Sequence, residues 1–457
     1  MKIIILGAGQ VGASVAESLV SEQNDLTVVD IDPQRLQLLQ DRLDLRTVLG
    51  SAAHPSVLAE AGAADADLVI AVTQRDETNL VACKLAARRF NVPRRIARIR
   101  ATDFLDDEMV LGADGFDVDF SICPEQVLTD YIVRLVEFPE ALQVLDFANG
   151  RVSLVAVRAY MGGPLVGRQL KSLRQDIPGI DTRIVAIFRR DRAIVPDGDT
   201  VIEAGDEVFC LAATKHIREV LRELRRMDRP VKRVMIAGGG NIGQRLARAL
   251  EHDYSVRIIE HNKHRSELLA AQVEKALVLT GDATDEELLE QEGISEMDLF
   301  LAVTNDDENN IMGSLLAKRM GARRVVALIN RKSYVDLLQS GEIDIAISPA
   351  QATIGTLLAH VRHGDVVAVH SLRRGAAEAL EAVAHGDRES SRLIGRRIEE
   401  IDLPPGTTIG AVVRGDEVIM AHHETMIQAE DHVIVFVTDK KRLPKVEKLF
   451  QVGVGFL

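Results

Sequence analysis

The stretch Lys2-Ile3-Ile4-Ile5-Leu6-Gly7-Ala8-Gly9-Gln10-Val11-Gly12 decides the fold. Its short apolar run suits a strand buried on both faces of a parallel sheet. The glycines follow at once, and beyond them Val15, Ala16 and Leu19 recur at helical spacing. Each glycine has its own job: a tight turn, room for the backbone to approach a pyrophosphate, and close packing of helix on strand. A helix that starts there offers unpaired N–H groups and its positive dipole end to phosphate. The next strand, Leu26-Thr27-Val28-Val29, ends on Asp30, where an acid accepts hydrogen bonds from an adenosine ribose. A glycine motif alone is weak evidence, but the strand before, the helix after and the acid beyond together specify a dinucleotide site. A carboxylate there repels a 2′-phosphate, which favours NAD(H) over NADP(H). The competing reading of Asp30 is a solvated strand end.

Working outward, the chain alternates helix and strand. Helices are expected at 34–43, 56–61 and 77–90, and strands at 46–49, 67–73 and 96–99, with Gly50-Ser51 closing the first of these strands. That alternation implies a right-handed, doubly wound parallel α/β sheet. From Pro124 the character changes. Val127, Leu128, Tyr131, Ile132, Leu135 and Val136 form an apolar stripe at helical spacing, which Pro139 stops. Residues 142–224 read as a smaller α/β unit with strands at 153–157, 183–188 and 207–212, a turn at Ala204-Gly205-Asp206 and a closing helix. The charged run 225–230 reads as a linker.

At Val231 the programme restarts. Gly238-Gly239-Gly240-Asn241-Ile242-Gly243 repeats the first glycine motif 231 positions later. Glu260 answers Asp30, Gly281-Asp282-Ala283 answers Gly50-Ser51-Ala52, and the run from Asp298 to Thr304 answers that from Asp67 to Thr73. The small lobe repeats as well, with Gly395-Arg396 for Gly167-Arg168 and Ala429-Glu430-Asp431 for Ala204-Gly205-Asp206. The chain is therefore expected to be a tandem duplication of a two-part module. Its parts are 1–123 and 232–348 as Rossmann-like domains, and 142–227 and 368–453 as small C-terminal α/β lobes.

Composition narrows the class. A chain of 457 residues with 46% hydrophobic and 27% charged residues is ordinary globular material. A formal net charge of -14 argues against a broad grip on nucleic acid, which is not expected as a partner. Cys83, Cys123 and Cys210 show no metal spacing and suit a reducing compartment. The N-terminal apolar run breaks at Gly7, so no signal peptide is expected, and no stretch is long enough for a membrane span.

A Rossmann unit, a connecting helix and a small lobe, all duplicated in one chain, resemble the RCK domains that regulate potassium transport. Residues Gly7–Gly12, Asp67–Asn79, Ile96–Arg100, Gly163–Gly167 and Asp298–Asn310 look like those of the tandem-RCK subunits of bacterial Trk systems. The resemblance covers Met1 to Phe450. It implies a cytoplasmic protein, peripheral on the inner face of the inner membrane, that binds NAD(H) and in addition ATP or ADP. It also implies a potassium-translocating membrane subunit of the Trk type as partner, gated by this chain. The connecting helix crosses to a neighbouring Rossmann unit in that family, so self-association into a homotetrameric ring is expected.

The cofactor site is assigned to Gly7, Ala8, Gly9, Gln10, Val11, Gly12, Asp30, Ser51, Thr73, Gln74 and Arg98 in the first module. In the second it is assigned to Gly238, Gly239, Gly240, Asn241, Ile242, Gly243, Glu260, Asp282, Thr304 and Asn305. Gln10 and Asn241 bring an amide to the same place in each phosphate loop. Thr73-Gln74-Arg75-Asp76 and Thr304-Asn305-Asp306-Asp307 have the spacing of a capping box, and both are expected to cap the helix that follows while lining the crevice. Arg35 either stacks on adenine or is solvated. Arg98 lies in an apolar strand where an unpaired charge is costly, so it meets either a phosphate or a neighbouring acid. Aligning Ala97 with Ala327 puts Leu328 at that position, and the two sites are expected to differ. The first would hold NAD(H) firmly; the second would bind more weakly or take another adenine nucleotide. No metal site is expected, although His360 and His363 are three apart; an exposed polar face explains them. Glu203, Asp206 and Glu207 read as turn solvation before a cation site.

The competing class is an NAD-dependent oxidoreductase, which needs a proton donor or acceptor beside the nicotinamide and a second-substrate pocket. His54 is the one histidine near the first crevice, and its counterpart is Asp285, so the duplicated design does not repeat an imidazole. The lobes are alike and occur twice, and no distinct substrate domain is visible. No catalytic residue is assigned, and a nucleotide-responsive regulator is the preferred reading over an enzyme or a mere nucleotide buffer.

Overall fold

A computed structural model describes residues 1–20, 24–105, 108–139, 141–172, 180–190, 192–224, 230–331, 333–334, 342–361, 366–372 and 376–452. The expected linker at 225–229 and His363 lie outside the described residues. The chain divides into two compact units, one of Met1–Leu128 with Ser348–Leu357, the other of Thr129–Ile347 with Leu358–Leu457.

The first unit holds a six-stranded sheet of β1 (Lys2–Leu6), β2 (Asp25–Asp30), β3 (Arg46–Leu49), β4 (Leu68–Ala71), β5 (Arg94–Arg98) and β6 (Phe120–Ile122). All pairings are parallel, in the order β3-β2-β1-β4-β5-β6. Strand order reverses between β1 and β4, which makes the crevice beyond their C-terminal ends the ligand position in such sheets. Ile3, Ile4, Ile5, Leu6 and all of β4 are buried, as continuous apolar runs in a sheet covered on both faces must be. The fourth strand is shorter than expected: it ends at Ala71, which leaves Val72 and Thr73 to turn over the crevice.

The second unit contains the repeat, β12 (Arg233–Ala237), β13 (Ser255–Glu260), β14 (Leu277–Thr280), β15 (Leu299–Ala302), β16 (Val325–Leu328) and β17 (Ile345–Ile347). Their order, β14-β13-β12-β15-β16-β17, is the same. Register fixes the correspondence: Ala71 faces Ala97 and Ala302 faces Ala327, so Leu328 stands where the first module has Arg98.

The same unit carries both small lobes, and each is a five-stranded antiparallel sheet. The first consists of β7 (Gln143–Phe147), β8 (Val152–Arg158), β9 (Thr182–Arg189), β10 (Arg192–Ile194) and β11 (Glu207–Ala213), in the order β10-β9-β11-β8-β7. The second consists of β18 (Val366–Leu372), β19 (Ala377–Val383), β20 (Thr407–Arg414), β21 (Glu417–Met420) and β22 (His432–Val437), in the equivalent order. Sequence patterning missed β7, whose Gln143 and Asp146 interrupt the apolar signal, and β10, a largely exposed three-residue edge. The two lobes share one core in which Phe147, Leu154, Phe188 and Phe209 meet Ala379, Val413, Met420 and Phe436. Gly410 permits the approach, since a Cβ there would lie 2.9 Å from Leu211 and 3.0 Å from Val185.

Each lobe pins its turn with a buried ion pair. Arg189 donates from Nε and Nη2 to the two Asp206 oxygens, at 2.9 and 2.8 Å, and Arg414 does the same to Asp431 at 2.8 and 2.8 Å. Asp206 also accepts from the Glu203 N–H, while Glu203 pairs with Arg189 and Glu207 with Arg158. These acids are therefore turn-forming partners of arginine. Among the described residues no cluster of potential ligands for a metal is present, and no helix is long and apolar enough to cross a membrane.

All three cysteines are buried thiols. Burial pushes Cys83 up to about 12 and Cys210 up to about 11, which suppresses the reactive thiolate. Neither should react with a thiol-specific disulfide reagent at pH 8 in the folded protein, and both should react promptly in denaturant; mass spectrometry of the labelled peptides checks this.

Candidate nucleotide site

The phosphate loop is built by its glycines. Gly7 has φ +110, a conformation that favours glycine, and its N–H donates to the Val29 carbonyl at 2.8 Å. A Cβ on Gly12 would lie 1.8 Å from the Gly7 oxygen, so glycine is what lets the helix Gln10–Val20 close on β1. Gly9 is different: the nearest atom to a Cβ there is Nη1 of Arg35, 4.0 Å away. The second loop repeats each feature. Gly238 has φ +111, a Cβ on Gly243 would meet the Gly238 oxygen at 1.8 Å, and one on Gly240 would meet nothing within 4 Å. The middle glycines therefore face open space, while the last ones face backbone. The helices begin at Gln10 and Asn241, so the N–H groups of Gln10–Gly12 and Asn241–Gly243 fall in their first turns, where no intrahelical acceptor exists.

Asp30 and Glu260 hold these loops from the neighbouring strand. Asp30 accepts from the Ala8 N–H at 2.5 Å and the Asp32 N–H at 2.9 Å. Glu260, buried, accepts from Gly239 at 2.9 Å and Asn262 at 2.8 Å. A carboxylate has about four acceptor positions, so this role leaves each able to take a ribose hydroxyl. Asp32 and Asn262 cap the next helices, and Arg35 is anchored to Asp32 at 3.3 Å with its Nη1 on the Gly9 side of the loop.

Thr73 and Thr304 do not cap helices, contrary to the capping-box expectation. The N-caps are Arg75, without a side-chain bond, and Asp306, which accepts from the Asn309 N–H. The threonines instead belong to a clasp that sequence reasoning missed. Thr73 donates its N–H and its hydroxyl to Asn79 Oδ1, at 2.9 and 2.7 Å, and Asn79 donates to the carbonyls of Thr73 at 3.3 Å and Arg98 at 2.8 Å. Thr304, Asn310 and Leu328 repeat it, at 3.0, 2.6, 2.9 and 2.8 Å. Asp76 and Asp307 brace the same ends by accepting backbone N–H groups of Arg100 and Ala101, and of Asn330 and Arg331. The signal was present, since Thr, Asp and Asn recur at one spacing in both copies, at 73, 76, 79 and at 304, 307, 310. What local spacing does not reveal is that a buried amide ties two strand ends together. Asn79→Ala strips acceptor and donor from a fully buried clasp, and should cost about 2–3 kcal/mol of stability in urea denaturation.

The clasp brings Thr73, Asn79 and the end of β5 together beside Gly7, where an added Cβ would lie 3.0 Å from the Thr73 nitrogen. Gln74 and Asn305 are exposed; Gln74 uses its carbonyl to accept from Arg100. Ser51 and Asp282 sit farther out, beyond the edge strands β3 and β14. Asp282 accepts from the N–H and hydroxyl of Thr284, which hold its carboxyl below the usual range. His54 is the N-cap of the helix Pro55–Glu60 through its backbone carbonyl, with no side-chain cap bond, whereas its counterpart Asp285 caps with its carboxylate. Of the two partners open to Arg98, the structure shows the acid: Nη2 pairs with Glu125 at 2.9 Å, both side chains being mostly buried.

The family of the TrkA-N domain matches residues 3–118 and 234–349, and that of the TrkA-C domain matches residues 154–225 and 388–451. The chain is 59% identical over 456 residues to a Trk system potassium uptake protein TrkA of Halomonas elongata, with 100% of both chains covered. It is 57% identical over 458 residues to the protein of that name in Vibrio alginolyticus, again with 100% of both covered. Among solved structures it resembles the RCK domain of GsuK with a TM-score of 0.62 at 19% identity, covering 98% of this chain and 94% of that one. A GsuK channel bound to NAD matches with a TM-score of 0.62 at 18% identity, covering 98% of this chain and 78% of that one. At such identities the likeness speaks for the fold.

Proposed function

The chain belongs to the TrkA family of Trk system potassium uptake proteins, and on that premise we propose that it is the regulatory subunit of such a system, binding nucleotides in its two Rossmann-like crevices and gating a potassium-translocating membrane subunit from the cytoplasmic side. The observation that carries the nucleotide reading is the contrast within each phosphate loop. Gly12 and Gly243 are required by the protein's own backbone, whereas a Cβ would meet only the tip of Arg35 at Gly9 and nothing within 4 Å at Gly240. NAD(H) is the ligand assigned to the first site, where Asp30 disfavours a 2′-phosphate and the NAD-bound GsuK channel offers a precedent for the fold. ATP or ADP is the second ligand class. The relatives' function supports the potassium-transporting partner, and four copies in a ring would present the duplicated modules to it. Ligand binding biases paired modules directly, which gives the duplication a purpose that catalysis would not.

The two sites should be unequal, because Arg98 and Arg100 become Leu328 and Asn330 along the aligned strand ends. Calorimetric titration of the full chain with NADH, with Gly240→Asp isolating the first site and Gly9→Asp the second, is expected to show the first binding about tenfold tighter or more. Equal affinities would overturn the assignment. Turnover of NADH with a small carbonyl compound would overturn the regulatory reading.

A further inference from the structure

The second lobe brings polar groups to the contact between lobes where the first lobe is apolar. Pairing runs Leu145–Leu154–Leu211 in the first lobe and His370–Ala379–Phe436 in the second, which fixes the correspondence of their strands. On that register His370 stands where the first lobe has Leu145, and Glu381 where it has Ala156. β7 and β18 are edge strands, and each uses a side chain to meet the other's backbone. Gln143 donates from Nε2 to the Ser371 carbonyl at 2.9 Å, and His370 donates from Nε2 to the Asp146 carbonyl at 3.1 Å. The His370 ring also stands edge-on to Phe147, with centroids 4.8 Å apart. Buried Glu381 completes the seam by accepting the Ala148 N–H at 2.7 Å. That bond holds a turn in which Ala148 and Asn149 have φ of 50 and 54, a left-handed conformation that is costly for alanine.

This seam is a poor place for a further positive charge. Two carboxylates face His370, one from β7 and one from β19, and both are engaged. Asp146 takes Arg134 of the connecting helix and the Ser153 hydroxyl, each at 2.7 Å. Glu381 is divided between Ala148 and His432, whose Nδ1 donates to it at 2.5 Å. The His370 ring is half-buried, and its enclosure holds the imidazole below its ordinary value against the pull of Asp146 and Glu381. We propose that His370 is a proton-sensitive latch between the lobes: neutral, it fastens β18 to β7, and on gaining a proton it releases them. A histidine held below its ordinary value stabilises the closed form fully above about pH 6.5, and that contribution is lost as the pH falls. The latch therefore opens on acidification. Asp146 carries the change onward, because its carboxylate holds the connecting helix through Arg134.

The test is hydrogen exchange of the full chain, read by mass spectrometry on peptides spanning 142–150, at pH 7.5 and 6.0 after correction for intrinsic exchange. With an open-state imidazole value of about 6.5, the open population should rise by about two- to fourfold over this interval. His370→Gln keeps a donor for the Asp146 carbonyl but cannot gain a proton, so it should lose the rise. His432→Gln should retain it, which separates the two imidazoles. Thermal melts at pH 7.5 report folding of the variants. Exchange of the imidazole C2 proton, followed against pH in the unaltered chain, needs no variant and should place the His370 value below about 6.5. A rise absent from the parent or retained in folded His370→Gln overturns the proposal, as does a His370 value at or above about 6.5. Loss of the rise in His432→Gln with its retention in His370→Gln would assign the response to His432 and overturn it equally.

Discussion

Gly9→Asp should abolish nucleotide binding at the first site, by about 100-fold or more, in a protein that folds normally. A Cβ at Gly9 meets only the far end of Arg35 at 4.0 Å, and the residue lies outside the left-handed region, so the backbone accepts a side chain. The added carboxylate then occupies the place a pyrophosphate would take and repels it. Gly12→Ala should do the opposite. Its methyl group would sit 1.8 Å from the Gly7 oxygen, which cannot yield without breaking the turn, so the expected cost is about 3 kcal/mol of stability or more. Two glycines three residues apart thus separate binding from folding, and Gly240→Asp and Gly243→Ala should repeat the contrast in the second module. Calorimetry with NADH and chemical denaturation, run on each variant, distinguish the two effects. Loss of folding in Gly9→Asp, or a stable Gly12→Ala, would contradict the geometry.

The second large effect belongs to the lobes. Asp431 is fully buried, takes two hydrogen bonds from Arg414 and accepts the Gln428 N–H at 2.7 Å. The hydrogen bonds to Asp431 push the Arg414 guanidinium above its ordinary value. Asp431→Ala leaves the guanidinium half-enclosed without its counter-charge and leaves a turn N–H unmet, which should cost about 3–5 kcal/mol. Asp206→Ala should match it, because Arg189 and the Glu203 N–H repeat the arrangement. Because the lobes share one core through Phe188, Phe209 and Phe436, the loss should lower the urea midpoint of that whole unit and not of one lobe alone. Separate melting of the lobes would argue against a common core.

The fold was legible where one physical signal dominated. Ile3–Leu6 and Leu68–Ala71 are apolar without interruption because both faces of their sheet are covered, and the glycine motif names the turn between strand and helix. The duplication was legible because the glycine motif, the strand-end acid and the run Asp67–Thr73 all recur at one constant spacing, and Thr73, Asp76 and Asn79 recur with them. What that spacing does was not. Capping and clasping both use a hydroxyl and an amide near a helix start, and only the shortened strand, ending at Ala71, decides that Thr73 bonds to Asn79 instead of capping. Arg98 shows the same limit. Its cost in an apolar strand predicted a partner, but Glu125 is distant in sequence and nothing local pointed to it. The first lobe was read as α/β from three strands and a closing helix, all of which are present, and the exposed β10 and the polar-interrupted β7 add two antiparallel strands that periodicity could not find.

The crevices are proposed above all to sense nucleotide on behalf of a potassium-translocating partner. The direct measurement is potassium flux through the Trk-type membrane subunit in liposomes, with the full chain added and NADH and ATP varied. With the parent chain, flux should change with nucleotide; with Gly9→Asp and Gly240→Asp combined, the chain should still associate but the response should vanish. A nucleotide response that survives both substitutions, or a flux indifferent to nucleotide with the parent chain bound, would contradict the account.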